Sequence, residues 1–399
     1  MSNSILTIDM ITRKSLQILE NRLVIARNCN RQYDKSFAEK GAKIGSTLRI
    51  RLPNRYLVSN GPALVVQDEN EQDTTLSVSS QKHIGINFTT AELALSMDDF
   101  SERFLEPAIS QLAASIDNDV ANAFSAIGQS VGTPGTTPAS ALVLLQAHQK
   151  IDEAAGPRQE RYGTVNPAAN ASLVDGLKGL FNPTDTLSKQ FKEGLMGERV
   201  LGFEEFSMSQ SIQQFTTGSR TAGATVTTTS KNGDTSIAIT TNGATDTIKK
   251  GDVFTIAGTN KVNPQTRQST GSLFQFVATA DATASGSAAT VKVAAIYDNT
   301  SALATVDTLP AATSAVTWLG AASTTYPQNL IYHKNAIALA TADLEMPQGV
   351  DMAARANHNG ISLRIVRQYD INNDRMPCRV DVLYGYGVIR PELACRLWG

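Results

Sequence analysis

Oxygen-bearing side chains near the end of the sequence are spaced in a way that could bind calcium. Asp370, Asn372 and Asp374 alternate along the chain, and Asp381 is the twelfth residue counted from Asp370. A calcium loop uses alternating oxygen ligands and a final carboxylate, but it also needs a glycine at its sixth position for a sharp turn. Arg375 stands there instead. The segment is therefore interpreted as a hairpin turn, where Asn and Asp are common.

Other groups that could do chemistry are scattered along the chain. The four histidines lie far apart in sequence, at His83, His148, His333 and His358. Asp98 and Asp99 are adjacent carboxylates, but their attraction to the dipole at a helix start explains them without catalysis. The sequence has no phosphate-binding glycine loop, G-x-S-x-G elbow, HExxH motif or paired CxxC motif. We therefore predict no catalytic residue, no cofactor and no metal.

The composition is that of an ordinary globular protein. The 399 residues are 41% hydrophobic and 18% charged, with a formal net charge of -2, and such a length predicts two or three domains. A chain this close to neutral is not, as a whole, a strong non-specific ligand of nucleic acid. Cys29, Cys378 and Cys395 lack metal or redox spacing, which favours a reducing compartment. No signal peptide or membrane-spanning run is found, so we expect synthesis in the cytosol.

The elements that position these residues begin with helical and strand-like patterns. Apolar residues at helical intervals predict a mildly basic amphipathic helix over Ile5–Asn28. Alternating stretches over Ser46–Tyr56 and Thr75–Asn87 flank a polar, turn-rich segment and predict an extended hairpin. A capping box then opens a long helix, Ser96–Gly128, which should form a rod of about 45 Å. Pro107 should bend this rod near its first third.

The middle of the chain alternates between helix and strand patterns. Thr137-Pro138 is predicted to open a helix that stops at Gly156. A short strand over Tyr162–Asn166 and a helix over Ala168–Leu180 follow. Mixed patterns of this kind predict an α+β fold class.

From about residue 218 to 325 the composition changes to Thr, Ala, Ser, Gly and Val, and glutamate is absent. Short apolar runs separated by turn residues predict an inserted all-β module of about six strands. Beyond it, the alternating runs Ile361–Asp370 and Cys378–Ile389 predict an antiparallel pair.

Three segments resemble the coat protein family of tailed bacteriophages typified by the Salmonella phage P22. They are KGDVFTIAGTNKVNPQTRQSTGSLFQF, which ends at Phe276, NLIYHKNAIALATADLEMP, which begins at Asn329, and SMDDFSERFLEPAISQLAASIDNDV, which begins at Ser96. Because they occur in the family's order across the chain, the resemblance covers nearly all of it.

The resemblance implies the Hong Kong 97-like capsid fold with an inserted β-barrel domain. The expected division is an N-terminal arm at 1–44, an extended loop hairpin at 45–95, a spine helix at 96–130, a peripheral and axial α/β core at 131–217, the inserted β-barrel at 218–325 and the core's return at 326–399. An arm, a hairpin, a rod and a β module were each expected from the residues alone, and that agreement supports the assignment.

The resemblance also implies a function. It is that of a major capsid protein, which self-assembles with a scaffolding protein into an icosahedral procapsid in the host cytoplasm. The shell then expands and encloses packaged DNA. The expected partners are other copies of the chain in hexamers and pentamers, the scaffolding protein, a portal protein and, non-specifically on the inner face, DNA; no membrane partner is expected.

Within this interpretation, charged residues are candidates for contacts between subunits. Arg49, Arg51 and Arg55 could pair with Glu69 or Glu71 of a neighbour, or they could be ordinary solvated charges. The inserted module could brace its own subunit, or a projecting loop could bridge two subunits. One candidate loop is Asn242–Lys249, which carries Asp246 and Lys249, and Ala280–Ser287 is the other.

Two other classes of protein remain as alternatives. A virion surface or carbohydrate-binding adhesion protein would expose aromatic side chains on its β module, where they would stack on sugars. The module's aromatic residues stand mostly in apolar runs, which favours core packing; they are Phe254, Phe274, Phe276, Tyr297 and Trp318. A hydrolase is disfavoured because no acid–base constellation can be located from spacing.

Overall fold

The computed structural model describes residues 8–32, 47–67, 71–88, 106–177, 197–198, 200–358, 361–372 and 375–399. The chain divides into two compact units. Unit 1 comprises Met1–Ile50, Thr74–Val120 and Ile337–Gly387, and unit 2 comprises Arg51–Asp73, Ala121–Ala336 and Val388–Gly399. Each unit thus gathers segments far apart in sequence.

Helices in the described residues are few and short. The α-helices are α1 (Ile8–Arg22), α2 (Glu106–Ala121), α3 (Ala141–Glu153) and α4 (Pro167–Leu177). Single turns of 3-10 helix occupy Ala26–Asn28, Asn122–Ala126, Lys334–Ala336 and Pro391–Leu393. None of the helices in these ranges is both long and apolar enough to cross a membrane.

Strands make up most of the regular structure. Before the predicted β module they are β1 (Thr47–Arg51), β2 (Asp73–Ser77), β3 (Ser80–Phe88), β4 (Ser130–Val131), β5 (Arg161–Val165), β6 (Gly197–Glu198), β7 (Glu205–Met208) and β8 (Gln214–Thr216). Within it they are β9 (Thr225–Val226), β10 (Ser236–Thr240), β11 (Thr247–Ile248), β12 (Val253–Val262), β13 (Ser269–Val277), β14 (Ala282–Thr283), β15 (Ala288–Lys292) and β16 (Val316–Trp318). After it they are β17 (Thr325–Pro327), β18 (Asn329–His333), β19 (Ile337–Ala342), β20 (Met352–His358), β21 (Ile361–Arg367), β22 (Met376–Val388) and β23 (Ala394–Leu397).

Unit 1 is built on a five-stranded sheet with α1 packed against it. The strand order is β19-β22-β21-β20, and β3 also pairs with β22. Helix α1 contacts β20 and β21, and its buried residues Thr12, Leu16 and Leu19 fall on one helical face. The predicted antiparallel pair of alternating runs is present as β21 and β22.

The turn that precedes β22 is a hairpin, as the sequence interpretation holds. The backbone N–H of Asp370 donates to the carbonyl of Arg375 at 2.8 Å, and the Asp370 side chain accepts from the Asn372 N–H at 3.0 Å. Asp381 is fully buried and accepts from two arginines, Arg364 at 2.8 Å and Arg379 at 2.7 Å. The carboxylate that would complete a calcium loop is therefore already compensated.

The predicted long hairpin is only partly correct. β1 pairs with β2 in a short two-stranded sheet, but most of the predicted second strand pairs elsewhere. β3 lies antiparallel to β22, from Ser80 opposite Tyr384 to Phe88 opposite Met376. Alternation identified the strand correctly, but it carries no information on the partner. Residues 378–381 of β22 pair with β21 on one edge and with β3 on the other.

The predicted spine helix is described only from Glu106 onwards. Its capping box at Ser96–Asp99 and the bend expected at Pro107 involve residues outside the described ranges. Helix α2 ends at Ala121, and the helical path continues as 3-10 helix to Ala126. Ile109, Leu112 and Ile116 form the expected buried stripe.

Unit 2 contains a six-stranded mixed sheet in the order β4-β23-β18-β5-β7-β6. The strand and helix predicted after residue 161 are present as β5 and α4, and the Asn166 side chain caps α4 by accepting from the Ala169 N–H at 2.9 Å. The predicted start of α3 at Thr137-Pro138 is wrong. Ser140 is the cap, and its hydroxyl accepts from the Leu142 N–H at 3.1 Å. Just before this cap, the Thr136 carbonyl accepts a hydrogen bond from the Gly399 N–H.

The segment predicted as a β module has an apolar core of its own. Its strands form three small sheets, β15-β10-β9, β11-β14 and β13-β12-β16. Phe254, Ile256 and Phe276 lie at the centre of a cluster that runs from Ala224 to Val316. By contact pattern the segment belongs to the same compact unit as the mixed sheet, so the boundaries 218–325 stay a prediction.

A buried carboxylate holds the chain after α1 in unit 1. Asp117 on α2 accepts hydrogen bonds from the backbone N–H groups of Val24 at 2.7 Å, Ile25 at 3.2 Å and Ala26 at 2.8 Å. Burial raises the pKa of Asp117, and these three donors oppose that shift. The carboxylate thereby satisfies a turn whose backbone would otherwise be buried without partners.

Asp117→Ala should lower the free energy of unfolding by about 3 kcal/mol, because it leaves buried N–H groups without acceptors. Urea unfolding followed by circular dichroism measures the change. Gln111→Ala, at an exposed position of the same helix, is the matched control and should change stability by less than about 0.5 kcal/mol. Equal effects of the two substitutions would contradict the role given to Asp117.

Candidate assembly contacts

The charged residues predicted to face neighbouring subunits are partly paired within the chain. Arg51 Nη1 lies 3.4 Å from Glu71 Oε1, with side chains 77% and 50% exposed. Arg55 Nη2 lies 3.9 Å from Glu392 Oε1. Arg49 is exposed on β1, and Glu69 lies outside the described residues. The exposed pair between Arg51 and Glu71 contributes little to folding stability, so a residue of a neighbour could replace either partner at small cost. Their role between subunits remains a prediction.

Asp246 is placed differently from what the sequence suggested. It is only 5% exposed. Its Oδ2 accepts from the Thr221 hydroxyl at 2.7 Å, the Thr221 N–H at 3.0 Å and the Gly243 N–H at 3.2 Å. Burial raises the pKa of Asp246, but these hydrogen bonds outweigh it and the net shift is downward. The carboxylate braces its own loop and does not project, whereas Lys249 in the same loop is exposed.

A segment that the sequence analysis interprets as polar and turn-rich carries several large, exposed apolar side chains. Between β1 and β2, residues 52–67 form no strand. Five of their apolar side chains are more than half exposed, and Val58 and Leu64 are exposed to 92% and 89%; the set is Tyr56, Val58, Leu64, Val65 and Val66. In the sequence, the run Leu64-Val65-Val66 indicates such an apolar surface, whereas Asn60-Gly61-Pro62 indicates only a turn.

A side chain holds this segment in a loop. The Leu57 N–H donates to Gln67 Oε1 at 2.8 Å, and Gln67 Nε2 donates back to the Leu57 carbonyl at 2.5 Å. The amide thus replaces one rung of a strand ladder. We name residues 52–67 the extended segment.

A buried ion pair closes the base of the β module. Arg220 Nη1 lies 3.1 Å from Asp252 Oδ1, with side chains 1% and 0% exposed. Asp252 Oδ2 also accepts from the N–H groups of Gly218 at 3.1 Å and Lys249 at 2.8 Å, and Arg220 donates to the carbonyls of Leu319 and Gly320. The pair therefore ties the chain where it enters the module to the chain where it leaves.

Electrostatics at this pair reflect its burial. Desolvation lowers the pKa of Arg220 and raises that of Asp252, and in each case the partner's charge opposes the shift. The Arg220 guanidinium lies 5.5 Å from the centre of the Trp318 ring, which adds a cation–π contact. Buried pairs of this kind cost much when one partner is removed, because the other charge stays without compensation.

A second buried cluster joins α3 to β5. Arg161 Nη2 contacts Asp152 Oδ1 at 2.5 Å, and Arg161 Nη1 donates to His148 Nδ1 at 2.9 Å. Because a guanidinium only donates, His148 must accept at Nδ1 and carry its proton on Nε2. Burial lowers the pKa of His148 to about 4, and the Arg161 charge acts in the same direction. This histidine is a structural acceptor.

The aromatic side chains of the β module pack mainly inside it. Phe254 and Phe276 are buried and stacked with ring centres 5.4 Å apart, and Phe254 lies 5.1 Å from Trp318. Phe274 packs on Phe276 at 4.7 Å. An aromatic platform for sugars is therefore not supported by these residues. Within the described ranges, no group of three or more His, Cys, Asp or Glu could hold a metal ion.

Arg220→Met should lower the free energy of unfolding by roughly 3–5 kcal/mol, because it strands the Asp252 charge in the interior. The double change Arg220→Met with Asp252→Asn should recover part of that loss. Thermal and urea unfolding measure both, with Lys249→Met as the exposed control. If the double variant loses as much stability as Arg220→Met and Asp252→Asn lose separately, added together, the two residues are not coupled.

The His148 contact predicts a pH dependence of stability. The unfolded chain takes up a proton at His148 below pH 6.5, whereas the folded chain resists it until about pH 4. The free energy of unfolding should therefore fall as pH drops from 6.5 to 4, by up to roughly 3 kcal/mol from this group. His148→Gln should remove that component of the slope, and Gln146→Ala, on the exposed face of α3, should keep it. An unchanged slope in His148→Gln would refute the assignment.

Comparison with known proteins gives matches to a protein family, to a capsid protein and to solved structures. The P22 coat protein family, described as gene protein 5, matches residues 2–399. The major capsid protein of Acyrthosiphon pisum secondary endosymbiont phage 1 is 23% identical over 98% of this chain and 97% of its own length. A solved structure from Mycobacterium phage Che8 covers 94% of this chain and 90% of that chain, with 12% identity and a TM-score of 0.47. The capsid structure of Cyanophage P-SCSP1u covers 89% of this chain and 83% of that chain, with 12% identity and a TM-score of 0.43.

The family match extends over nearly the whole chain, and the described helices and strands give the α+β class expected from the sequence. The predicted family is therefore confirmed, and the chain belongs to the P22 coat protein family, the structural capsid proteins of tailed bacteriophages.

Proposed function

We propose that this major capsid protein builds an icosahedral procapsid with a scaffolding protein, in the host cytoplasm, and that the shell expands as DNA is packaged. A portal protein and the packaged DNA are further partners in this proposal, with DNA contacted non-specifically on the inner face. The chain carries no catalytic step in this scheme. Family membership supports the capsid role itself.

The observation that carries the assembly proposal is the exposed apolar surface of the extended segment. Monomeric proteins seldom leave several large apolar side chains together in water, and such patches mark interaction sites. In this segment Val58, Leu64 and Val66 are each more than 80% exposed. Burying them would be favourable by about 25 cal/mol per Å² of apolar surface removed from water. In a protein whose family forms shells, the partner is another copy of the chain.

The geometry of such a contact suits a shell. The extended segment of one copy meets a different surface on the next, and this head-to-tail arrangement closes into a ring when the rotation between copies is right. The exposed ion pair between Arg51 and Glu71 stands at the base of the segment, where either residue could pair with a neighbour instead. Each contact can be weak, since a closed shell repeats it many times.

The β module serves mainly as a brace in this proposal. Asp246 and Asp252 both bind backbone inside the module, and Arg220 ties its two ends together. These contacts support an inserted β-barrel domain at 218–325 that stabilises its own subunit. Lys249, exposed in the loop Asn242–Lys249, remains the candidate for a contact with a second subunit; the loop Ala280–Ser287 is the alternative.

The experiment is electron microscopy of the chain co-expressed with its scaffolding protein. The wild-type chain should give closed, uniform shells. A double substitution, Leu64→Asp with Val66→Asp, should reduce shell yield at least tenfold, because carboxylates would have to be buried at the contact. The isolated subunit should lose less than about 0.5 kcal/mol of stability, since both sites are exposed.

Ser59→Asp is the matched control, because it adds a charge at an exposed position of the same segment without removing apolar surface. It should leave shell yield near the wild-type level. Normal shells from the double variant would show that the extended segment is not the contact, and soluble wild-type chains that never form shells would refute the assembly proposal itself.

A further inference from the structure

Unit 2 contains a cavity of about 310 Å³. It is bordered by β12, β13, the residues that follow β15 and the chain around Ile389. This volume is roughly twice the ~150 Å³ of an engineered apolar cavity that binds benzene. It falls at the lower end of the range of small-molecule sites, roughly 300–1,000 Å³.

Most of the cavity wall is apolar. Leu273, Phe274, Phe276, Val293 and Leu303 line it. Phe276, Val293 and Leu303 are buried, and Phe274 packs edge-on against Phe276. An alkyl chain or an aromatic ring placed there would lose its contact with water, which is the main source of affinity in such sites.

Five of the polar or charged lining residues form one connected patch. Lys261 Nζ donates to Gln129 Oε1 and to the Lys150 carbonyl, both at 2.8 Å. Gln129 Nε2 donates to the Glu392 carbonyl at 2.6 Å, and Arg55 lies 3.9 Å from the Glu392 carboxylate. All five of these residues line the cavity. We name them, Arg55, Gln129, Lys150, Lys261 and Glu392, the cationic patch.

Charge in this patch is not balanced. Three cations, Arg55, Lys150 and Lys261, line the cavity against a single carboxylate, Glu392, which is also shared with Arg390 at 2.9 Å. Lys261 is the most buried cation, and its nearest carboxylate, Glu153 Oε2, is 4.0 Å away. Burial lowers the pKa of Lys261 to about 8, and Glu153 offsets this only in part. An anion beside this patch would complete its compensation.

We infer that the cavity is a binding site for a single-chain amphipathic anion, such as a medium-chain carboxylate, with its head on the cationic patch and its chain along the apolar wall. The excess of cations in the patch favours a negatively charged head group, and the apolar wall favours an alkyl chain. The inference does not depend on the proposed assembly, because the cavity lies inside one unit of a single chain.

The test is equilibrium dialysis of the full-length, unassembled chain against radiolabelled decanoate. One equivalent should bind, and decyltrimethylammonium, with the same chain and the opposite charge, should bind at least tenfold more weakly. Lys261→Gln should weaken decanoate binding about tenfold or more, as expected for a lost charge-assisted hydrogen bond. Ala295→Trp, which adds bulk at a lining position, should abolish binding.

Lys292→Gln is the control, because Lys292 is exposed on β15 and does not line the cavity; its affinity for decanoate should be unchanged. If Lys261→Gln fails to fold by circular dichroism, Lys150→Gln takes its place. Equal binding of the two head groups, or full binding to folded Ala295→Trp, would overturn the inference. Normal binding by the Leu64→Asp, Val66→Asp variant would separate this site from the assembly contact.

Discussion

Buried carboxylates that hold distant backbone segments are the interactions on which both units depend. In unit 1, Asp117 satisfies three successive N–H groups after α1, and Asp381 gathers two arginines on the central sheet. In unit 2, Asp252 joins Gly218, Lys249 and Arg220. Each carboxylate is almost fully removed from water. Their desolvation is costly, and it is tolerated because each carboxylate receives at least two hydrogen bonds.

These internal contacts explain how a subunit can be stable by itself while one of its segments leaves apolar side chains exposed to water. The extended segment has apolar side chains that its own unit leaves in water, and one amide, that of Gln67, keeps it in a loop. Folding therefore leaves exposed the surface that we propose for assembly. A segment that is ordered but uncovered can be buried later by a neighbour at a small entropic cost, which favours cooperative growth of a shell.

The sequence predicted those features that depend on local periodicity. α1, β5, α4 and the pairing of β21 with β22 follow from alternation or helical spacing, and the composition change near residue 218 marks the strand-rich segment. The sequence-based predictions were wrong where a residue distant in sequence determines the pairing. β3 looked like half of a hairpin but pairs with β22. The start of α3 is a separate case, because the helix begins at Ala141 after the local cap Ser140 and not at Thr137-Pro138.

The candidate contacts show the same division. Asp246 and Lys249 looked equivalent in sequence, yet one is buried under three hydrogen bonds and the other is exposed. The contact between Val24 and Asp117 spans 93 residues, and no local pattern reports such a pair. The sequence gives the identity of the apolar residues between β1 and β2, but only the three-dimensional structure shows that the rest of the chain does not cover them.

Amide hydrogen exchange of the free subunit and of purified shells tests the central claim most directly. The account predicts that amides of residues 52–67 exchange within seconds in the free subunit and are protected by at least tenfold in shells, while buried strands such as β18 are protected in both. Equal, fast exchange of residues 52–67 in both states would contradict it, since the extended segment would then not be the surface that a neighbouring subunit covers.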